Sequence, residues 1–377
     1  MTLPPFDSQY FTDILTELLA IPSPSGYTDR IVHRVGEELQ RLGIPFELTR
    51  RGAIRAKIPG QESKPERAIV AHLDTLGAMV TKLKPNGRLR ISPVGHWSSR
   101  FAEGARVSII TDERIYRGTV LPLKASGHIY NEEVDSQPVN WDQVEIRVDQ
   151  PVHSFEELKA IGVQPGDFVT FDSVPEFTDG FINARHLDDK IGVAALLALA
   201  RDIKQFNIVP AENTYFLFTI FEEVGSGASS VLQGDVSEMV AIDNATNSPE
   251  AASSEYGVTV AMGDMTGPFD YHLTHKLVDL AREFGIEHSR DVFRHYRCDV
   301  ASAVEAGNDL RTGLLCFAVD ASHGYERSHI KSVEALHQLM AAYIASPPTF
   351  KRDRREMGPL KGFPQQPAIH GGSSAPL

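Results

Sequence analysis

The run Tyr215-Phe216-Leu217-Phe218-Thr219-Ile220-Phe221-Glu222-Glu223-Val224-Gly225 decides how this chain folds. From Tyr215 to Phe221 it is apolar but for Thr219, the length and texture of a strand buried on both faces. It then turns acidic without transition. Two adjacent glutamates beside buried surface are hard to explain by packing, because like charges in apolar surroundings are costly. Glu222 and Glu223 therefore read as functional groups at the carboxyl end of a strand, where ligands collect in open α/β sheets. Cations would resolve their cost.

Similar strands lie on either side. Ala68 to Ala71 is a short buried run ending at His72, Met239 to Ile242 ends at Asp243, and Gly313 to Val319 is a third. Helical periodicity separates them. Ile191, Val193, Ala194, Leu196, Leu197 and Ala200 mark an apolar helix beginning near Asp189. Near the start, Phe11, Ile14, Leu15, Leu18 and Leu19 share one helical face. A second helix runs to about Leu42, with Thr28 or Ser25 placed to cap it, and Gly43 and Pro45 close it. Between about Gly77 and Phe177 the texture changes. Short runs such as Val107 to Ile110, Ile115 to Val120 and Phe168 to Phe171 are separated by Gly, Pro and Asp turns, which predicts a small all-β body.

The expected fold is therefore α/β: an αβα sandwich with a mostly parallel central sheet, interrupted by a small all-β insertion domain. Residues 1–76 and 178–346 form the α/β body, residues 77–177 the insertion, and 347–377, rich in Pro, Gly, Ser and charge, a disordered tail. A chain of 377 residues suits two domains. Its net charge of -13, with no long basic run, argues against nucleic acid as a partner. Two cysteines, Cys298 and Cys316, are too few for a disulfide framework or a thiolate metal site. The first twenty residues carry no basic stretch ahead of their apolar positions, and no apolar run reaches the roughly 18 residues of a membrane helix. A cytoplasmic location is expected.

Each chemical motif has an ordinary explanation when taken singly. Ala71-His72-Leu73-Asp74 could be a surface loop, and Asp188-Asp189 ahead of an apolar helix could be caps favoured by the helix dipole. Asp243 could cap a strand end, and His329 could be a loop histidine. Their value lies in the set. His72, Asp188, Glu223, Asp243 and His329 offer two imidazoles and three carboxylates, a mixture suited to Zn²⁺, Co²⁺ or Mn²⁺. Five ligands also suit two cations about 3.5–4 Å apart sharing one carboxylate.

The order of these motifs resembles the glutamyl/leucyl aminopeptidases, the dinuclear tetrahedral-assembly family. That family shows H-x-D after a strand, a domain insertion, L-D-D-[RK]-x-G, E-E-V-G, a strand-end Asp and a late His. All appear here in order between Ile21 and about Ile344. The resemblance implies that His72 and Asp243 hold one metal, Glu223 and His329 the other, and that Asp188 bridges them. It implies that Asp74 orients His72 and that Glu222 is the general base. It also implies two divalent ions per subunit, a small peptide as substrate, and dimers building to a larger homo-oligomer through the insertion.

There are departures. Glu222-Glu223-Val224-Gly225-Ser226-Gly227-Ala228 is one residue shorter than the family pattern, and the usual G-G-T-D-A appears as Tyr296-Arg297-Cys298-Asp299-Val300. Arg297, Asp299, His323 and Arg327 are the candidates for contacting substrate, the two arginines by reading a carboxylate or amide. The stretches GHWSSRFAEGARV, LPLKASGH, FDYHLT and ASHGYERSHI resemble one branch, a peptidase associated with synthesis of the osmoprotectant N-acetylglutaminylglutamine amide.

Other readings fit less well. Gly225-Ser226-Gly227 is not a G-x-S-x-G nucleophile elbow. Ser230 stands at the third glycine of a dinucleotide fingerprint, where the two glutamates would repel a pyrophosphate. H-E-x-x-H is absent. An N-acyl amino acid or acyl-peptide deacylase on the same scaffold stays open as an alternative, as does a non-catalytic metal-binding relative.

Overall fold

A computed structural model describes residues 2–232 and 236–367 of the chain. Helix α1 (Ser8–Leu19) buries Phe11, Ile14, Leu15, Leu18 and Leu19, and Asp7 caps it by accepting from the Tyr10 N–H at 3.0 Å. Helix α2 (Asp29–Arg41) follows. Of its two expected caps, Thr28 occupies the N-cap position without a side-chain bond, while Ser25 turns to Asp74 instead. Strands β1 (Phe46–Leu48), β2 (Ile54–Ile58) and β3 (Glu62–His72) enter the main sheet.

The chain then leaves that sheet. Strands β4 (Gly77–Leu83), β5 (Arg88–Val94), β6 (Arg106–Ile110), β7 (Ile115–Pro122), β8 (Val144–Val148) and β9 (Phe168–Phe171) close a barrel in the order β4-β5-β8-β7-β6-β9. Two short helices, α3 (Gly127–Tyr130) and α4 (Phe155–Ala160), sit in its connections. Closure leaves the ladder no free edge, and Val107, Ile109, Val120, Ile146 and Val169 fill a separate core inside it. Strands β10 (Glu176–Thr178) and β11 (Phe181–Ala184) lead back to the main body.

There follow α5 (Leu187–Gln205), β12 (Glu212–Thr219), β13 (Val236–Thr246), β14 (Val258–Asp264), β15 (Gly267–Pro268) and α6 (Tyr271–Glu283). Then come β16 (His288–Val292), α7 (Asp299–Glu305), β17 (Arg311–Val319), β18 (Glu326–His329) and α8 (Ile330–Ala345). The main sheet runs β1-β2-β12-β3-β13-β17-β14-β15, with β16 on β14. Its centre, β12-β3-β13-β17, is parallel throughout. The architecture is thus the expected mixed α/β body with a large, mostly parallel sheet and a separate small β unit.

That parallel centre positions the site. His72 pairs with Thr219, and Val70 pairs with Ala241. Asp243 therefore reaches the same edge as His72, each two residues beyond the Val70–Ala241 pair. Helix α5 packs on β3, β13 and α8 and is buried on almost every side, so its sequence is apolar all round rather than striped. Leu196 is fully buried in this helix. Leu196→Ala should cost about 2–5 kcal/mol of folding stability, read as a lower urea midpoint. A change below half of that would mean that the neighbours collapse into the space.

Part of the segment expected to be a disordered tail is tied down. Arg311 Nε meets Asp353 Oδ2 at 2.6 Å, and Lys276 Nζ donates to the Pro347 carbonyl at 2.5 Å. Residues 368–377 of that segment lie outside the described residues. No helix among the described residues is long and apolar enough to cross a membrane.

Candidate metal centre and active site

Two overlapping groups of ligand-type side chains meet at the carboxyl edge of the parallel strands. His72, Asp188 and Asp243 bring one ligand atom each within 4.8 Å of one another, as do Asp188, Glu223 and His323. Asp188 belongs to both. Its Oδ1 lies 3.0 Å from His72 Nε2 and its Oδ2 lies 3.3 Å from His323 Nε2. Glu222 borders the first group, with Oε2 3.9 Å from His72 Nε2.

Both imidazoles are held by their other nitrogen. His72 Nδ1 is 2.9 Å from the Asp74 carbonyl, and His323 Nδ1 is 2.9 Å from the His96 carbonyl in the barrel. A carbonyl oxygen can only accept, so each Nδ1 carries a hydrogen and each Nε2 faces Asp188, where it can donate a proton or ligate a cation. A lone pair facing a carboxylate oxygen at these distances is repulsive unless a proton or a metal cation lies between them. This is the arrangement that metal-binding histidines adopt.

The electrostatics lead to the same conclusion. Burial, then neighbouring carboxylates, push Glu222, Glu223 and Asp189 well above the usual carboxylate range. Burial and Asp188 raise Asp243 to about 8. Burial opposes charge on His323, yet Asp188 and Glu223 push it up to about 10. Asp188, although buried, is held low by its bonds to His323 and His72. So many acids in one dry space need cations to be charged together. The Oδ1 atoms of Asn244 and Asp189 also lack a partner among the described residues. The residues present fit divalent metal.

The supporting shell differs from expectation in instructive ways. Asp74 does orient His72, but through its backbone carbonyl; its carboxylate Oδ1 is 3.7 Å from the ring. That carboxylate instead accepts from the Glu222 N–H at 3.1 Å, the Glu223 N–H at 3.3 Å and Ser25 Oγ at 2.5 Å. Asp189 accepts from the His72 N–H at 3.0 Å, so it braces a ligand rather than capping α5. A Cβ at Gly192 would come within 2.2 Å of its Oδ1, which is why a glycine stands there.

The largest difference in placement concerns histidine. His329, expected in the second metal group, is elsewhere: its Nδ1 accepts from the Lys331 N–H at 3.1 Å as the N-cap of α8, and its ring lies between Phe181 and Tyr256. His323, expected to contact substrate, takes the place beside Asp188 and Glu223. The turn after β17 turns its side chain inward, and both Ala321 (φ 58°) and His323 (φ 65°) adopt left-handed backbone there. The other substrate-contact candidates are also engaged. Arg327 makes two bonds to Glu255, at 2.9 and 3.0 Å, and Arg297 bonds Glu305 at 2.8 Å. Asp299 is buried, accepting from Thr219 Oγ1 at 2.5 Å and the Ala228 N–H at 2.8 Å. Its carboxylate approaches Gly227 so closely that no side chain fits there.

Two residues escaped the sequence reading. Asn244 Nδ2 donates to Asp188 Oδ2 at 2.7 Å, and only its position next to Asp243 could have flagged it. Glu326 is fully buried and accepts from the N–H groups of Leu187 (2.7 Å), Asp188 (3.2 Å) and His323 (2.9 Å). One carboxylate thereby ties the Asp188 turn to the His323 turn. Glu326→Ala is expected to weaken metal binding about 10- to 100-fold, measured by competition with a chelating dye. Unchanged affinity would show that the two turns hold each other without it.

A buried cluster of carboxylates and imidazoles at the ends of parallel strands, with a general-base candidate beside it, defines the class as metal-dependent hydrolase. The chain belongs to the M42 glutamyl aminopeptidase family, whose sequence signature matches residues 52–339. It is therefore a peptide hydrolase of a metal-dependent family. It is 35% identical over 337 residues to a Bacillus subtilis (strain 168) protein named "Putative aminopeptidase YhfE", covering 89% of this chain and 97% of that one. It is 25% identical over 218 residues to the lysyl aminopeptidase of Pyrococcus furiosus, covering 56% of this chain and 60% of the other. Among solved structures, the TET1 peptidase of Pyrococcus horikoshii, which can assemble into a tetrahedron or a large octahedral shell, superposes with a TM-score of 0.78. Identity is 25%, and the match covers 89% of this chain and 99% of that one.

Proposed function

We propose that the chain removes the N-terminal residue from small peptides with two divalent cations, one held by His72 and Asp243 and the other by Glu223 and His323, with Asp188 shared. The observation that carries this reading is the geometry of Asp188, whose two oxygens each face one imidazole nitrogen, at 3.0 and 3.3 Å. Nitrogen and carboxylate ligands suit Zn²⁺ or Co²⁺, and Mn²⁺ next. Cations so held would lower the pKa of a shared water and polarise the scissile carbonyl.

The remaining work falls to side chains. Glu222 stands outside both ligand groups but within reach of them; it takes the proton of the attacking water and returns it to the leaving amine. Asp74 fixes the backbone of both glutamates, so that neighbouring residues serve different roles. Leu76, Trp97 and Phe171 wall the recess and limit the water that competes for these groups.

The likeness to the TET1 peptidase supports self-association, and we assign to the barrel a part in assembly and in access to the site. The branch resemblance supports a dipeptide-like amide linked to osmoprotectant metabolism as substrate. The test is hydrolysis, after metal reconstitution, of unblocked dipeptides and amino-acyl amides against their N-acetylated counterparts. Cleavage of the unblocked set alone supports the proposal. Preference for the acetylated set would move the protein to deacylation.

A further inference from the structure

The arginines first expected to read a substrate anion are both paired, but another is not. Arg185 directly follows β11 and stands three residues ahead of Asp188. It lines the same recess as Asp188, Glu223 and His323, together with the apolar groups of Leu76, Trp97 and Phe171. Its backbone is fixed, because its N–H donates to the Ser173 carbonyl at 2.9 Å and Ala184 before it pairs with Glu326 across the small sheet.

Among the described residues its guanidinium makes no hydrogen bond or ion pair. The acid whose field it feels most, Glu326, already accepts three backbone N–H bonds. Arg185 is half-buried, and burial works against its charge, so an anionic ligand would be a favourable partner for it. An arginine presents a planar fork of donors that matches a carboxylate with two parallel bonds. Once cations neutralise the acids of the metal groups, Arg185 presents a positive charge on the wall of the recess that only Glu326 partly offsets.

We propose that Arg185 anchors a carboxylate of the substrate beside the metal centre, so that the enzyme prefers small peptides carrying an anionic group close to the scissile bond. The anion has two possible sources, an acidic side chain on the substrate or the free C-terminus of a dipeptide. The proposal rests on the peptidase reading above. Family membership does not decide it, because relatives bear both glutamyl and lysyl names.

The experiment compares wild type, Arg185→Ala and Arg185→Lys on four substrates: Leu-amide, Leu-Ala-amide, Leu-Ala and Glu-Ala-amide. In Arg185→Ala, kcat/KM for a carboxylate-bearing substrate relative to Leu-Ala-amide should fall about 10- to 100-fold, chiefly through KM, as expected for a lost charged hydrogen-bond pair. Arg185→Lys should recover part of that ratio. A fall confined to Leu-Ala identifies the C-terminus as the anion, and one confined to Glu-Ala-amide identifies the side chain. Equal losses on all four substrates, or none, would overturn the anchor. Calorimetric titration of reduced-amide analogues of Leu-Ala, Leu-Ala-amide and Glu-Ala-amide gives a readout free of turnover. The proposal requires that wild type bind at least one of the two carboxylate-bearing analogues more tightly than the Leu-Ala-amide analogue and that Arg185→Ala erase the difference. Failure of wild type to cleave any of the four would count against the peptidase reading, while the titration would still decide the role of Arg185.

Discussion

Glu222→Gln is expected to lower kcat by about 10²–10⁴-fold while the two cations proposed for the site stay bound. Glutamine keeps the size of the side chain, and the Glu222 backbone bond to Asp74 at 3.1 Å is untouched, so the local fold should persist. What disappears is the capacity to take a proton and return it. Glu222 is suited to this because it is close to His72 without belonging to either ligand group. Burial and the surrounding acids also raise its affinity for protons. The check is kcat alongside elemental analysis of bound metal. Loss of activity together with loss of metal would make Glu222 a ligand, and activity within tenfold of wild type would place the base elsewhere.

The second large effect separates two histidines six residues apart. On the two-cation arrangement proposed above, His323→Ala should reduce bound metal from two cations to one and abolish turnover, because only Asp188 and Glu223 would remain in the second group. The first group should keep its cation, since His72 and Asp243 are untouched. His329→Ala should leave the metal content at two. Its cost is structural: loss of the α8 cap and of the ring contacts with Phe181 and Tyr256, of which the cap alone is worth about 1 kcal/mol. Metal counting after dialysis and a thermal melt on both variants distinguish the two residues. Loss of one cation from His329→Ala, with His323→Ala retaining both, would reverse the assignment.

Much of this site could be read from the chain because its ligands sit at strand ends. A buried strand announces itself by an apolar run, and an acid or histidine at its end is conspicuous against that run. His72 after Ala68–Ala71, Glu222 and Glu223 after Phe221, and Asp243 after Ile242 all stood out in this way, and the structure brings them together. The late histidine did not, because Ser322-His323-Gly324-Tyr325-Glu326-Arg327-Ser328-His329 is a turn followed by a short strand. Two histidines six residues apart in such a segment differ only in which way the backbone turns them.

Local pattern thus determined which elements are strands and helices, where the β insertion interrupts them and which acids end the buried strands. These properties follow from neighbours along the chain and from the cost of burying charge. Tertiary structure alone decided which histidine faces Asp188 and that Asp74 orients His72 by its carbonyl. It also decided that Glu326 ties two turns together, and that Arg297 and Arg327 are paired while Arg185, among the described residues, is not. Most of these depend on a partner far away in sequence, Glu255 for Arg327 and His96 for His323 among them, and a hydrogen bond or ion pair forms by distance in space rather than by spacing in the chain.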